Sequence, residues 1–312
     1  MPWLIPLTAF LVSLGLIPLL KPWAIRHGLC DDPRGDELKI HRDPVPYVGG
    51  IALLFAVVLG SLLGATIETI PMETLLGVWG ALTVGFGLGV WDDLSWTNTD
   101  TYQPSVKFIA QVTVSALAAV LLYAVGIRIE TFPIAVVMLP LAAFYAFGGI
   151  NALNMQDGLD GLAGGLSAIS ALGFVVLGSQ TGDAVGLVLG LAVLGAVIGF
   201  LVHNAPPASV FMGDGGSHFL GVALISLAIG FTSEPYDPAR FVGPILVLGL
   251  PVFDAAFTVG RRAYGRKPLF EGDRGHLYDR LMDRGWSARA TVGVCCLIQA
   301  GFAAAGVALY LL

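Results

Sequence analysis

The sequence predicts an all-α, polytopic integral membrane protein with about ten transmembrane helices. Its 312 residues are 56% hydrophobic and only 12% charged, whereas soluble domains carry roughly 25% charged residues. Apolar runs of about 17 to 25 residues, long enough to cross a bilayer as helices, recur along the chain. None alternates like a barrel strand. We therefore expect a single membrane-embedded domain over residues 1–312.

The predicted spans follow the apolar runs in chain order. They are residues 3–20, 50–66, 74–91, 105–126, 131–149, 161–178, 184–203, 217–232, 241–260 and 291–311. The first has no basic residue before it and no evident small-residue cleavage site, so we expect a retained span and not a signal peptide. Pro251, inside the ninth span, can kink that helix and free a backbone carbonyl.

The distribution of basic residues predicts the orientation of the bundle. With ten spans, all of the 16 Lys and Arg residues except Arg128 and Arg240 fall on one side. The positive-inside rule makes that side cytoplasmic and puts both termini outside, in a multi-pass protein of the cell inner (plasma) membrane. Positive-inside topology accounts for these basic residues, so we expect no nucleic-acid partner.

The first cytoplasmic loop is rich in charge and contains Lys39, His41 and Arg42. These side chains could bind a substrate phosphate. They are equally well explained by positive-inside topology, with long side chains reaching the interface and attracting anionic lipid. Both interpretations stay open.

The third span ends in the adjacent carboxylates Asp92 and Asp93. Two acidic groups at a helix C-terminus oppose the helix dipole, so they need a shared proton or a bound cation. Lys107, at the start of the fourth span, could bring a positive charge back to them.

The stretch from Asn151 to Leu162 carries the densest polar pattern between two long apolar runs. Asn151, Asn154, Asp157 and Asp160 recur every three residues, so on a helical turn they lie along one face. Such a cluster beside a membrane is costly unless a metal ion or a phosphorylated ligand pairs with it. The alternative is an ordinary polar loop with solvated Asp side chains.

A second polar loop contains Gly213-Asp214-Gly215-Gly216. Its glycines allow unusual backbone dihedrals and free N–H groups that can bind an anion, and Asp214 is a candidate metal ligand. An ordinary turn is the alternative.

The last cytoplasmic loop follows a span that contains Asp254, which is either functional or paired with a neighbouring polar group. Residues 272–285 predict a short amphipathic helix closed by Gly285. His276 and Arg280 would share one face of this helix and could clamp a diphosphate. A helix lying on the membrane surface would also explain the arginines.

All these clusters fall on the cytoplasmic side, which favours surface chemistry over transport, because carriers place ionisable groups near the bilayer midplane. Carboxylates and amides around Mg²⁺ with converging cationic side chains are suited to phosphoryl transfer. The sequence has no P-loop, kinase, metalloprotease or Gly-x-Ser-x-Gly motif. A lipid phosphate and a soluble nucleotide diphosphate are the substrates that this pattern favours.

Five stretches, in order and over nearly the whole chain, resemble the polyprenyl-phosphate N-acetylhexosamine-1-phosphate transferases (glycosyltransferase family 4). They are His41 with Pro46 and Gly49-Gly50, Asp92-Asp93, Asn151 to Leu162, Asn204 to Gly221, and Pro251-Asp254 continuing to His276. The similarity is greatest to the undecaprenyl-phosphate GlcNAc-1-phosphate transferases. Many relatives carry His-x-His-His in the last loop, where this chain has Tyr278 and Asp279 after His276 and Leu277.

The resemblance implies Mg²⁺-dependent transfer, with Mn²⁺ able to substitute, of a sugar 1-phosphate from a UDP-sugar to a polyprenyl phosphate. UMP is released, in the first membrane step of a cell-envelope polysaccharide pathway such as cell-wall or lipopolysaccharide synthesis. The sequence leaves open whether the protein forms a homodimer. By analogy, Asp214 and Asn154 would hold the metal, and Asp92 would assist the attack of the lipid phosphate, with Asp93 as a metal or orienting group.

The remaining roles concern substrate binding. By analogy, Asp157 and Asp160 would face the nucleotide, with Asp160 contacting uracil, while Lys107, His276 and Arg280 would neutralise phosphate charge. The stretch Pro44 to Gly50 is more like GlcNAc-type enzymes, which favours UDP-GlcNAc as the donor. A phospho-MurNAc-pentapeptide translocase is the nearer alternative, and a nucleotide-sugar or lipid-phosphate carrier is the more distant one.

Overall fold

The computed structural model describes residues 1–31, 44–95, 103–129, 134–232, 237–266 and 275–312. The helices are α1 (Leu4–Arg26), α2 (Gly49–Glu68), α3 (Met72–Ser95), α4 (Pro104–Ala124), α5 (Ala135–Gln156), α6 (Leu162–Thr181), α7 (Ala184–Asn204), α8 (Gly213–Gly230), α9 (Pro238–Val247), α10 (Gly249–Tyr264), α11 (Leu277–Asp283) and α12 (Ala288–Leu311). Within these ranges, the β-structure is one antiparallel pair, β1 (Cys30–Asp31) with β2 (Val45–Pro46).

The prediction of an all-α, polytopic membrane protein is confirmed. Eight of the described helices, α1 to α7 and α12, are long and apolar enough to cross a membrane, and the bent pair α9 and α10 makes a ninth if it counts as one span. Each of these corresponds to a predicted segment. The predicted span 217–232 corresponds to α8, which is not among the eight.

Helix α8 is the buried centre of the bundle. Every residue from Gly215 to Ile229 is buried, and α8 packs against α2, α3 and α5. A helix that is apolar all round belongs in a core, because no face of it needs water. The surrounding helices therefore determine the position of its N-terminus, which carries Asp214.

The predicted ninth span, 241–260, is broken and not continuous. Helices α9 and α10 meet at Leu248 with a bend of 87°. Pro251 lies in the first turn of α10, where the lack of an N–H costs no helical hydrogen bond. The bend therefore precedes the proline and places α10 alongside the end of α5.

The buried amide of Gln299, on α12, satisfies the backbone at this bend. Its Oε1 accepts from the Leu250 N–H at 2.9 Å, and its Nε2 donates to the Val247 carbonyl at 2.7 Å. The same Nε2 lies 2.8 Å from the Ser170 hydroxyl on α6. Backbone groups freed in an apolar interior need such partners, so one side chain allows the helix to break inside the bundle.

We expect Gln299→Leu to lower the free energy of unfolding by on the order of 2 kcal/mol, because the Leu250 N–H and the Val247 carbonyl lose their partner. Reversible unfolding in mixed detergent and SDS micelles, followed by circular dichroism, measures the change. Gln180→Leu replaces an exposed glutamine of α6 and should leave stability nearly unchanged. Equal stability of the two variants would contradict this account of the bend.

Candidate active site

Several helix ends meet at one end of the bundle and bring most of the predicted polar residues together. Helix α3 ends with Asp92 and Asp93, α4 begins near Lys107, α5 ends near Asn154, and α8 begins with Asp214. Direct polar contacts join Asp92 to Lys107, Asn154 to Asp214, and Asp93 to the backbone of Asp214. We call these five residues the carboxylate cluster.

Asp93 binds the first turn of α8. Its Oδ1 accepts from the Asp214 N–H at 2.9 Å and its Oδ2 accepts from the Gly215 N–H at 3.1 Å. These N–H groups lie at the positive end of the α8 dipole, where a carboxylate is stabilised. With both oxygens engaged, this geometry supports the orienting role for Asp93 over that of a metal ligand.

Asp92 is fully buried and forms an ion pair with Lys107. The same Lys107 ammonium lies 4.0 Å from Asp214 Oδ2, and its side chain is 20% exposed. One cation thus lies between two carboxylates while remaining open to the outside. A carboxylate buried this deeply requires such a partner, because desolvation of an unpaired charge costs several kcal/mol.

Asn154 contacts Asp214 through its amide group. Its Nδ2 donates to Asp214 Oδ1 at 2.6 Å and to the Ser217 hydroxyl at 3.2 Å. A metal shared by Asn154 and Asp214 would need the amide oxygen instead of the nitrogen, and rotation of the amide by 180° supplies it. Both residues therefore fit a hard divalent cation such as Mg²⁺, once the amide has turned.

Glycines let the helix backbones approach at this site. A Cβ at Gly89 would clash with the carbonyl oxygen of Asp214, so α3 and α8 touch only because that side chain is missing. Gly213 has φ +68° and its missing Cβ leaves room for the Asp93 carboxylate. The glycines thus determine how close the cluster's carboxylates lie.

The two acidic residues after α5 have different surroundings. The pKa of the Asp157 carboxyl is raised well above its ordinary value, first by burial and then by the negative charges of Asp214, Asp93 and Asp160. A bound cation would relieve this repulsion. Asp160 Oδ2 accepts from the Ala208 N–H at 2.9 Å and thereby ties the end of α5 to the loop before α8.

Asp254 pairs with a neighbouring polar group, and that group is His276. Asp254 Oδ2 lies 2.6 Å from His276 Nδ1 and accepts from Gln156 Nε2 at 2.9 Å. Asp254 Oδ1 accepts from the Leu277 N–H at 3.0 Å. The Asp254 carboxylate therefore orients the buried imidazole of His276 through Nδ1.

His276 and Arg280 lie at the start and in the last turn of α11, and their binding of a diphosphate stays a prediction. His276 is the N-cap residue of α11, and its carbonyl accepts from the Arg280 N–H at 3.2 Å. The Arg280 guanidinium lies 4.9 Å from the centre of the Phe257 ring, and its Nε donates to the Gly275 carbonyl. Gly285, with φ +84°, follows the helix as predicted. The predicted substrate contacts Lys39 and His41 lie outside the described residues.

His218 is a candidate that sequence reasoning missed. It follows Asp214 by one helical turn in α8, and ligand atoms of Asp92, Asp214 and His218 all lie within 4.8 Å of one another. The spacing of four residues was visible in the sequence. Because apolar residues follow His218, it was included in the predicted span 217–232 and was not considered as a ligand. Gln156, which binds Asp254, was likewise unassigned.

The chain is similar to known proteins over most of its length. The family described as Glycosyl transferase family 4 matches residues 75–232. The chain is 34% identical over 305 residues to a probable undecaprenyl-phosphate N-acetylglucosaminyl 1-phosphate transferase of Bacillus subtilis (strain 168), covering 93% of this chain and 81% of the relative. It is 33% identical to a phospho-N-acetylmuramoyl-pentapeptide-transferase of the same strain, covering 90% and 89%. A transferase of that name from Staphylococcus carnosus (strain TM300) is 30% identical, covering 86% and 89%.

We expect Gly89→Ala to destabilise the protein by roughly 1–3 kcal/mol, because the added methyl group overlaps the backbone of Asp214. Gly87→Ala, on the exposed side of the same helix with no atom near its Cβ position, is the matched control. It should be neutral or slightly stabilising, since alanine favours helix. Unfolding in SDS micelles compares them. Equal free energies of unfolding for the two variants would show that the packing of α3 against α8 does not need a glycine at position 89.

Proposed function

This chain belongs to glycosyl transferase family 4, and from that membership we propose that it transfers a sugar 1-phosphate from a UDP-sugar to a polyprenyl phosphate. The products are a polyprenyl-diphosphate-sugar and UMP. An oxygen of the lipid phosphate forms a bond to the β-phosphorus of the donor. The bond from that phosphorus to the bridging oxygen breaks, and UMP leaves with the bridging oxygen.

The observation that carries this proposal is the carboxylate cluster. Three carboxylates, one amide and one ammonium group converge from α3, α4, α5 and α8 at one end of the bundle. Phosphoryl transfer needs little covalent help from a protein, and it depends on positioning and on neutralising the charge of the phosphates. Oxygen-rich donors beside the Lys107 ammonium group supply both.

Each residue then has a role that its contacts support. Asp214, with Asn154 after rotation of its amide, would hold Mg²⁺ or Mn²⁺, which neutralises diphosphate charge when bound. Asp92 assists the attack of the lipid phosphate, and Lys107 compensates its charge and reaches outward to phosphate. Asp93 orients the first turn of α8.

The placement in the membrane follows from the charge pattern. The cluster lies at the end of the bundle that the positive-inside rule makes cytoplasmic, where a soluble UDP-sugar is available. We propose a multi-pass protein of the inner (plasma) membrane with both termini outside, an orientation that counts α8 as a tenth crossing beside the eight long helices and the bent pair. Nucleotide binding by Asp157 and Asp160, and phosphate binding by His276, are proposed on the same side.

UDP-GlcNAc is the donor that we favour. The stretch from Pro44 to Gly50 resembles GlcNAc-type enzymes, and the chain is 34% identical to a relative named for N-acetylglucosaminyl 1-phosphate transfer. Identities of 30% and 33% to relatives named for phospho-N-acetylmuramoyl-pentapeptide transfer keep that donor as the second candidate. The reaction would be the first membrane step of a cell-envelope glycan pathway.

We expect Asp92→Asn and Asp214→Asn each to lower the rate of UMP release by about 100-fold or more, because charge that the reaction needs is lost. Purified protein, undecaprenyl phosphate, UDP-GlcNAc and Mg²⁺ constitute the assay, and EDTA should abolish the signal. Asp183→Asn is the control, because Asp183 caps the opposite end of α7 and asparagine caps equally well. A carrier would instead move substrate intact and keep most of its flux in both cluster variants, without producing UMP.

A panel of UDP-sugars tests the donor. We expect UMP release and lipid-linked product with UDP-GlcNAc, and little with the peptide-bearing UDP-MurNAc donor. Release that occurs only with the peptide-bearing donor would reverse this assignment while leaving the transferase reaction intact.

A further inference from the structure

The buried imidazole of His218 has no function in the reaction as described so far. The side chain is 0% exposed, and neither ring nitrogen has a hydrogen-bond partner among the residues that the structure describes. Buried polar atoms are nearly always paired, because leaving one unpaired costs free energy. Two unpaired nitrogens on one buried ring therefore call for a ligand.

The surroundings of His218 indicate which ligand this is. Asp214 precedes it by four residues, so both side chains project from the same face of α8. Asp92 approaches from α3, and one ligand atom from each of the three residues lies within 4.8 Å of the others. Carboxylate oxygens and a neutral imidazole nitrogen, from two rigid helices, form a donor set for a divalent cation.

We infer that His218 supplies a nitrogen ligand to the divalent cation that Asp214 would hold, and that this nitrogen makes the site select Mn²⁺ over Mg²⁺. The inference rests on the proposed function, because it concerns the same cation. Mg²⁺ strongly prefers oxygen ligands, and Mn²⁺ also suits carboxylates, but Mn²⁺ belongs to the first-row transition metals, whose affinity for nitrogen donors rises along the series that it begins. A nitrogen donor therefore raises the affinity of the site for Mn²⁺ more than its affinity for Mg²⁺.

Lys107 is compatible with a cation at this position. It contacts Asp92 through Oδ2, while Asp92 Oδ1 is buried without a hydrogen-bond partner among the described residues. One oxygen of Asp92 is thus available to a metal while the other holds the ammonium group. The long, partly exposed Lys107 side chain can turn outward, which lowers the repulsion between the two cations.

The experiment uses the whole protein in lipid nanodiscs, loaded with Mn²⁺ and measured by pulsed electron paramagnetic resonance. We expect a ¹⁴N coupling typical of a bound imidazole, and its replacement by a ¹⁵N coupling when the protein contains [¹⁵N]histidine. This comparison needs no substitution, so it does not depend on a variant that folds. Bound Mn²⁺ without a histidine nitrogen would overturn the inference.

The residue is identified by two variants. His218→Leu should remove the imidazole coupling and lower the concentration of Mg²⁺ that displaces half of the bound Mn²⁺ by about tenfold or more. His27→Gln, which changes an exposed histidine at the end of α1, should change neither quantity. A coupling that survives in His218→Leu would assign the nitrogen to another histidine and overturn the proposal.

Failure of this inference and failure of the proposed function have different signatures. If Mn²⁺ binds without a histidine nitrogen while UMP is still released, only the role of His218 is wrong. If no donor yields UMP while Mn²⁺ carries the histidine coupling, the metal site stands and the transferase assignment fails. Absence of Mn²⁺ binding would overturn the inference irrespective of activity.

Discussion

The hydrogen bonds from the first turn of α8 to the Asp93 carboxylate are the interaction on which the site depends. They join the C-terminus of α3 to the N-terminus of α8, at 2.9 Å from the Asp214 N–H and 3.1 Å from the Gly215 N–H. Adjacent carboxylates at the end of α3 would repel each other and oppose its dipole. The N-terminus of α8 compensates Asp93, and Lys107 compensates Asp92. Asp214 is thereby brought beside both.

Close backbone contacts hold the end of α3 against the start of α8. A side chain at Gly89 would overlap the start of α8, and one at Gly50 would overlap the backbone at Gly216. A side chain at Gly221, on α8 itself, would overlap the backbone of Gly149 on α5. Helix α8 thus touches three neighbours at positions where no side chain intervenes. Packing of this kind is favoured inside membranes, where dispersion contacts between helices replace much of the hydrophobic driving force. It also prevents α8 from sliding, so the positions of the carboxylates are determined by backbone and not by flexible side chains.

Local patterns in the sequence predicted the helices and much of the site, because hydropathy and spacing are local properties. The Asn154 and Asp214 pair, 60 residues apart, was predicted through resemblance and lies in contact. The break between α9 and α10 depends on Gln299, 49 residues beyond Leu250, and no local pattern reports such a bond. Helical spacing alone likewise does not report the contact of Arg280 with Phe257 or its hydrogen bond to the Gly275 carbonyl.

The end of α5 links the carboxylate cluster to the last described loop. Asn154 and Gln156 are two residues apart and project about 200° from each other around the helix, so they face different neighbours. Asn154 binds Asp214 on α8, whereas Gln156 donates to Asp254 on α10, which in turn holds His276. A shift of α10 must therefore carry α5 with it or leave buried polar groups unpaired, at a cost of about 1–3 kcal/mol. The bend that the chain makes before α10 is thus what connects His276 mechanically to the carboxylates.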